Sequence, residues 1–502
     1  MRTLYRASKV HTLAAPSSGE WILVDGRHVE RVGSGEPPGA DRVVELPGAT
    51  IVPGFVDSHV HLTGTGQHLR GPELESTRSK ADLLQALRRK AAEASDPVLL
   101  HGFDESTWPD RSLPSRAELD EAAGQAAALL RVDGHVALAN AAALSSSGAA
   151  DRPGAERAGA ELTGRVTGAA LSALRRWFAM HEPEREVEEL QLAAASVAVS
   201  RGVTTVHEMS MPHERGIRDL EILIAHQHRL PVDVTTYVAT TDVAQVMDLG
   251  LPQVGGDLPI DGSIGARTAA VNEPYVDGPG TGRRAYADDE LAEFFHAGHL
   301  AGLQVGVHAI GDAGIAQVIG TWERVYHTLD SRGRRHFRAR RHRLEHFEMA
   351  DRALVERAAA LGLAISVQPA FDAAWGFPGG LYEQALGPRR AVAMNPFRDL
   401  VDRGLEVGAG SDSPITPMDP LAAIEALERH HDPWQRLSRW QALRVCTLGS
   451  ARVGRQDDKK GSLEPGKHAD FAAYDRDLVE AEEPGGVRPI LTVSLGREVF
   501  AA

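Results

Sequence analysis

The chain has 502 residues and carries 54 Lys and Arg against 69 Asp and Glu, a formal net charge of −15. Hydrophobic and charged shares of 42% and 25% are those of a globular protein with room for one large domain and smaller ones. The acidic balance argues against a nucleic-acid partner, which wants a basic face. The single cysteine, Cys446, excludes an internal disulfide and a Cys-rich zinc cluster.

The opening segment, "MRTLYRASKVHTLAAPSSGEW", has basic residues but no continuous apolar run of signal-peptide type. No run of about 18 apolar residues occurs, so no membrane span is expected and the cytoplasm is the expected location. Next, "WILVDGRHVERV" places two alternating runs around Asp25–Gly26, a dipeptide suited to a tight hairpin turn. The C-terminal segments "HADFAAYD" and "ILTVSLGREVF" read likewise as short strands. Two β-rich ends suggest one small sheet domain built from both termini, residues 1–54 and 461–502.

The middle of the chain alternates. Apolar strands recur as "FVDSHVHL", "VTTVHEM", "VDVTTYVAT", "GDLPIDG", "LQVGVHAIGD", "HRLEHFEM", "LAISVQPAF" and "LEVGAGSDSP", separated by segments of helical period such as "DDELAEFFHAGHLAGL". Strands alternating with helices imply parallel βα units, and eight of them predict an α/β fold closed as a (β/α)₈ barrel over residues 55–62 and 184–460. About 140 residues separate the first strand from the second, far beyond a normal βα connection. Residues 63–183 are therefore expected to form an inserted domain near the barrel mouth. It holds a helix, "SKADLLQALRRKAAEA", that Ser79 and Asp82 would cap.

Active sites of such barrels lie at the C-terminal ends of the strands. Those ends carry His59 and His61, Glu208, Asp257 and Asp261, His308 with Asp312, His346, and Asp412. Residues i and i+2 of a strand share a face, so His59 and His61 point together. A lone strand-end histidine is commonly structural, and an Asp before a helix is commonly a cap. Four imidazoles and a carboxylate at one pole point instead to a divalent metal, with Zn²⁺ the expected ion.

"DSHVHL", "HAIGD", "RLEHFEM" and "GSDSP", in that order and spacing, resemble the amidohydrolase superfamily. The long insertion, "DGSIGARTA", "GFDESTWPDRSLPSRAELD" and "DGHVALANAAAL" resemble its amidohydrolase-3, YtcJ-like branch, which includes N-substituted formamide deformylases. The resemblance implies the barrel with its composite β-sandwich. It also implies His59, His61, His308 and His346 as metal ligands, with Asp412 as both ligand and proton acceptor.

A bound divalent metal acidifies its water and polarises a carbonyl. Asp412 would then take the proton of the attacking water and deliver it to a leaving nitrogen. The expected enzyme is a hydrolase of a non-peptide C–N bond in a small molecule, a linear amide or an N-substituted formamide. The alternatives are an isomerase or decarboxylase on the same metal site, or a non-catalytic barrel scaffold. Trp108, His135 and Arg267 are the expected substrate-binding residues; His135 could instead be a buried structural histidine, and Arg267 could pair with Asp261. Glu208, Asp261 and Asp312 are expected to support the ligands from behind. A homodimer is left open.

One departure stands out. Where members of the family carry a lysine that becomes a carbamate bridge between two metals, this chain has Asp257, and no lysine occurs between Lys90 and Lys459. Asp257 could bridge, bind one ion, or do neither, and its short side chain makes one ion the expectation rather than two.

Overall fold

Seven strands drawn from both ends of the chain form one sheet in this computed structural model, which describes residues 1–71, 73–105, 108–131 and 136–502. Their order is Arg497–Ala501, Pro489–Ser494, Phe471–Tyr474, Arg42–Pro53, Arg2–His11, Ser18–Asp25 and His28–Gly33. The last two pair antiparallel across a turn where Gly26 has φ 58°, a left-handed conformation that costs glycine nothing. Arg42–Pro53 joins the two ends of the chain, running parallel to Arg2–His11 and antiparallel to Phe471–Tyr474. Tyr5, Ile22, Ile51, Phe471 and Val493 form the core of this sheet.

A further eight described strands run parallel. Asp233–Val238, Val203–Ser210 and Phe55–Val60 make a three-stranded sheet. Gln253–Val254, Gln304–Ala309, Arg343–His346, Ala364–Val367 and Glu406–Ala409 make a five-stranded one. Backbone bonds tie the outer edges of each to the other. Gly255 N donates to Val238 O at 2.7 Å, Asp412 N to His59 O at 2.8 Å, and His61 N to Ser413 O at 2.9 Å. Amphipathic helices such as Asp288–Leu300, Asp312–Thr328 and Arg352–Leu361 connect successive strands.

The strand expected over "GDLPIDG" is shorter and earlier than the sequence suggests. It spans only Gln253–Val254, because Gly255 and Gly256 take φ of 85° and 69° and bend the chain out of the ladder. A side chain at Gly255 would run into the carbonyl of Gly306, so the bend requires glycine there. Asp257 follows directly after the bend.

The chain divides into two compact units, Met1–Leu62 with Ala194–Ser210 and Gln227–Ala502, and Thr63–Ala193 with Met211–His226. The terminal sheet and the parallel strands belong to the first. The second holds a five-stranded sheet ordered Val98–Phe103, Ala127–Arg131, Ala137–Ala139, Glu161–Val166 and Ala155–Ala158. Alternate residues of Ala127–Arg131 face two separate cores: Leu129 joins Leu83, Leu87, Phe103 and Trp108, whereas Leu130 joins Leu171, Leu174 and Phe178. The Ser79 side chain accepts from Asp82 N and starts the helix Lys80–Glu93. Among the described residues no helix is long and apolar enough to cross a membrane.

Candidate metal centre

His59 is the last residue but one of the strand Phe55–Val60, and His61 follows the strand on the same face as His59. His308 lies in Gln304–Ala309, His346 closes Arg343–His346, and Asp412 lies three residues beyond Glu406–Ala409. The larger unit brings all five together, with Asp257 among them. Asp257 Oδ1 lies 3.0 Å from His308 Nδ1, 3.4 Å from His346 Nε2 and 3.8 Å from His59 Nε2, and its Oδ2 is 3.6 Å from His61 Nε2. Asp412 Oδ1 lies 3.4 Å from His59 Nε2 and 3.2 Å from His61 Nε2. Zinc bonds of about 2.0–2.2 Å set neighbouring ligand atoms roughly 3–4 Å apart, and this is the spacing found.

The remaining ring nitrogens explain how the imidazoles are aimed. His61 Nδ1 donates to Met209 O at 2.8 Å, and His59 Nδ1 donates to Glu345 Oε2 at 2.9 Å. His308 Nε2 donates to Gly262 O at 3.3 Å, which leaves Nδ1 for Asp257. Each acceptor fixes a proton on one nitrogen and leaves the other turned to the centre, where a metal can take its lone pair in place of a proton. His59 Nε2, which faces the centre, is buried without a hydrogen-bond partner, a costly state for a polar atom that a bound cation relieves. The donor set, nitrogen and carboxylate oxygen, fits zinc or another borderline divalent ion.

Electrostatics agrees with the geometry. Burial disfavours a charged His61, yet Asp412 and Asp257 outweigh it and raise its pKa to about 10. His308 is raised to about 9, burial again being outweighed by Asp257 and Asp261. Burial opposes ionisation of Asp412, but His59 and His61 hold it below the usual carboxylate range. Asp257 is held well below that range against burial by His308 and His346. The centre calls for positive charge, which protons or a metal can supply.

The other expected residues have different surroundings. Glu208 Oε2 accepts from Leu62 N at 2.7 Å and so holds the chain just after His61. Asp261 accepts from Ile310 N, Gly311 N and Ala270 N at 2.8–3.0 Å, and its Oδ1 is 3.8 Å from His308 Nε2. Asp312 clamps Asn272 through two 2.9 Å bonds and accepts from Ala313 N at 2.9 Å in the first turn of its helix. Arg267 pairs with neither a free site nor Asp261: its fork bonds Asp277 at 2.8–3.2 Å, ten residues along the same loop. Trp108, expected on a substrate surface, is 4% exposed and donates to Thr77 O at 3.1 Å inside the smaller unit's core. His135 lies outside the described residues.

The sequence reading missed Arg343 and Glu345, both wholly buried beneath the centre. Strand alternation puts Glu345 on the face opposite its neighbour His346. His346 and Phe347, however, take φ of 70° and 58°, and this left-handed turn lets both Glu345 and His346 reach the cluster. Glu348, also unforeseen, is buried, bonded by Tyr382 Oη at 2.7 Å, and pushed up to about 7 by burial. A second grouping, Asp372 with His430 and His431, is unlike the first. His431 uses Nδ1 on Asp372 at 2.6 Å and Nε2 on Ala391 O at 3.1 Å, leaving no lone pair for an ion.

A family model described as "Amidohydrolase family" matches residues 42–500. YtcJ of Bacillus subtilis (strain 168) is 27% identical over 466 residues, covering 86% of this chain and 85% of that one. The N-substituted formamide deformylase of Arthrobacter pascens is 24% identical over 501 residues, covering 92% and 90%. Among solved structures, a metal-dependent hydrolase from Pyrococcus furiosus aligns with a TM-score of 0.80 at 25% identity, over 96% of this chain and 100% of that one.

Proposed function

This chain belongs to the amidohydrolase family, and from that premise we propose that it hydrolyses the non-peptide C–N bond of a linear amide or an N-substituted formamide. That it is an enzyme of the hydrolase type follows from the family and its metal-dependent structural relative. The finer substrate class is supported by its likeness to a formamide deformylase. The observation that carries the reading is Asp257 and Asp412 standing within 3.0–3.8 Å of four imidazoles, three of them anchored from behind.

When bound, a divalent ion supplies Lewis acidity, acidifying water and polarising the substrate carbonyl. His59, His61, His308, His346 and Asp412 would hold it, with Asp257, and zinc is the ion their chemistry favours. Asp412, anionic at neutral pH, takes the proton of water as the new C–O bond forms at the amide carbon. It then gives that proton to the nitrogen as the C–N bond breaks. The eight parallel strands, tied at both edges, support a closed (β/α)₈ barrel with this chemistry at their C-terminal ends.

One ion, which His59, His61, His308, His346 and Asp412 would hold, is the first reading. A second reading is favoured by Asp257, which also stands against His308 and His346 and so completes a second three-ligand set. Elemental analysis of purified protein, coupled to an amide and formamide hydrolysis screen in ¹⁸O-water, tests the proposal. The expected result is bound divalent metal, at one or two equivalents, and one ¹⁸O in the acid product. Turnover to a single product without ¹⁸O would instead mean an isomerase or decarboxylase. Metal-free protein without turnover would leave a scaffold.

A further inference from the structure

Below the metal centre, the parallel sheet buries a full ion pair that packing alone would not select. Arg343 and Glu345 are two residues apart on one strand, hence on one face, and both are wholly buried. The Arg343 fork grips Glu345 with Nε on Oε1 and with Nη2 on Oε2 at 2.8 Å. Arg343 also donates to Ser58 O, bonds His207 Nδ1 at 3.0 Å, and lies 4.6 Å over the ring of Tyr237. Every charged group of the pair is therefore matched. Buried ion pairs are nevertheless poor stabilisers, and apolar residues of similar volume commonly do as well or better.

The unused capacity of Glu345 shows what the pair is for. Its Oε2, already bonded to Arg343, also accepts from His59 Nδ1 at 2.9 Å. An ionised carboxylate can only accept, so Nδ1 of His59 must carry a proton, and Nε2 is the nitrogen left to offer a lone pair to an ion. That Nε2 is the buried nitrogen with no hydrogen-bond partner, facing Asp412 at 3.4 Å and Asp257 at 3.8 Å. Ser58, whose carbonyl Arg343 holds, is the residue before His59, so the same guanidinium anchors the backbone and, through Glu345, the ring.

We propose that Arg343 and Glu345 are a positioning pair that locks His59 in the Nδ1-protonated tautomer and aims its Nε2 at the metal. The proposal rests on the metal-centre reading, but it is read out by metal binding and does not depend on which substrate is hydrolysed. Neither residue touches the reacting atoms. Glu345→Gln places an amide where only an acceptor stood; its NH₂ can donate to Nδ1 and move the ring proton to Nε2. The double variant Arg343→Met with Glu345→Gln removes the unpaired buried cation that the single change leaves.

The test is zinc affinity by chelator competition, on protein whose fold is checked by circular dichroism, together with ¹⁵N spectra of ¹¹³Cd-loaded wild type. Both variants are expected to bind zinc roughly 10–100-fold more weakly, the usual effect of losing a partner behind a ligand. In the wild type, His59 is expected to show ¹¹³Cd coupling at Nε2 and a slowly exchanging proton on Nδ1. A folded double variant with unchanged zinc affinity would make the pair merely structural and overturn the proposal. Where the variants do not fold, the wild-type spectrum decides: His59 bound through Nδ1, or with no proton there, overturns it equally. A wild type that binds no divalent ion would sink the metal reading itself, and this proposal with it.

Discussion

In the larger unit the interior around His59 holds Arg343, Glu345, Asp257 and Asp412, all buried. In the smaller unit the interior around Trp108 is Leu83, Leu87, Phe103 and Leu129. The two differ in kind. Hydrocarbon burial contributes roughly 25 cal/mol per Å² and needs no partner. A buried charge costs free energy unless it is matched, and each of these four is tied to a named counterpart. The apolar interior is accounted for by folding alone, whereas the charged one makes sense only through what it holds.

That contrast can be broken at four points, in falling order of effect. Asp412→Asn keeps a group that can face a metal but cannot carry a proton, so kcat should fall about 10²–10⁴-fold with metal content and melting temperature little changed. Wild-type-like turnover by this variant on any substrate found in the screen would remove Asp412 from the proton path.

Trp108→Ala should do the reverse. Emptying a 4%-exposed indole site ought to cost about 3–5 kcal/mol in denaturant unfolding while metal per folded chain stays constant. An undiminished stability would show that the smaller unit does not rely on that core.

The third point is pH. His61 and His308, raised to about 10 and about 9, hold protons in the metal-free protein at neutral pH, and a metal must displace them. Metal affinity should therefore rise with pH, on the order of tenfold per unit for each proton released, and fall on acidification. Calorimetry in buffers of different ionisation enthalpy counts those protons; a count of zero near neutrality contradicts the assignment.

Smallest is Ser115→Ala. Ser115 caps the helix Arg116–Ala122 in a reciprocal box with Glu118 in the smaller unit. Its loss should lower stability by about 0.5–2 kcal/mol. Zinc affinity should not move, and a change in it would blur the distinction between the two units.

How much of this was legible beforehand varies residue by residue. His59 and His61 could be placed together because strand period is two, and His308, His346 and Asp412 because such side chains are rarely gathered at strand ends. Trp108 in "STWPD" reads as a loop residue exposed for binding, and only packing shows it as a core anchor. Arg267 offered two partners on chemical grounds, and the course of the loop chose a third, Asp277.

From its residues alone, this chain determined its parallel α/β architecture, the β-rich sheet from both termini, and the imidazole and carboxylate side chains that gather at the strand ends. These depend on local period and on side-chain chemistry, which the sequence carries directly. The tertiary structure decided what depends on distant groups meeting: that Asp257 stands against all four imidazoles, and that Glu345 lies behind His59. The first follows from the glycine bend after Val254 and the second from the left-handed turn at His346, and in each case the backbone departs from the period that sequence reasoning relies on.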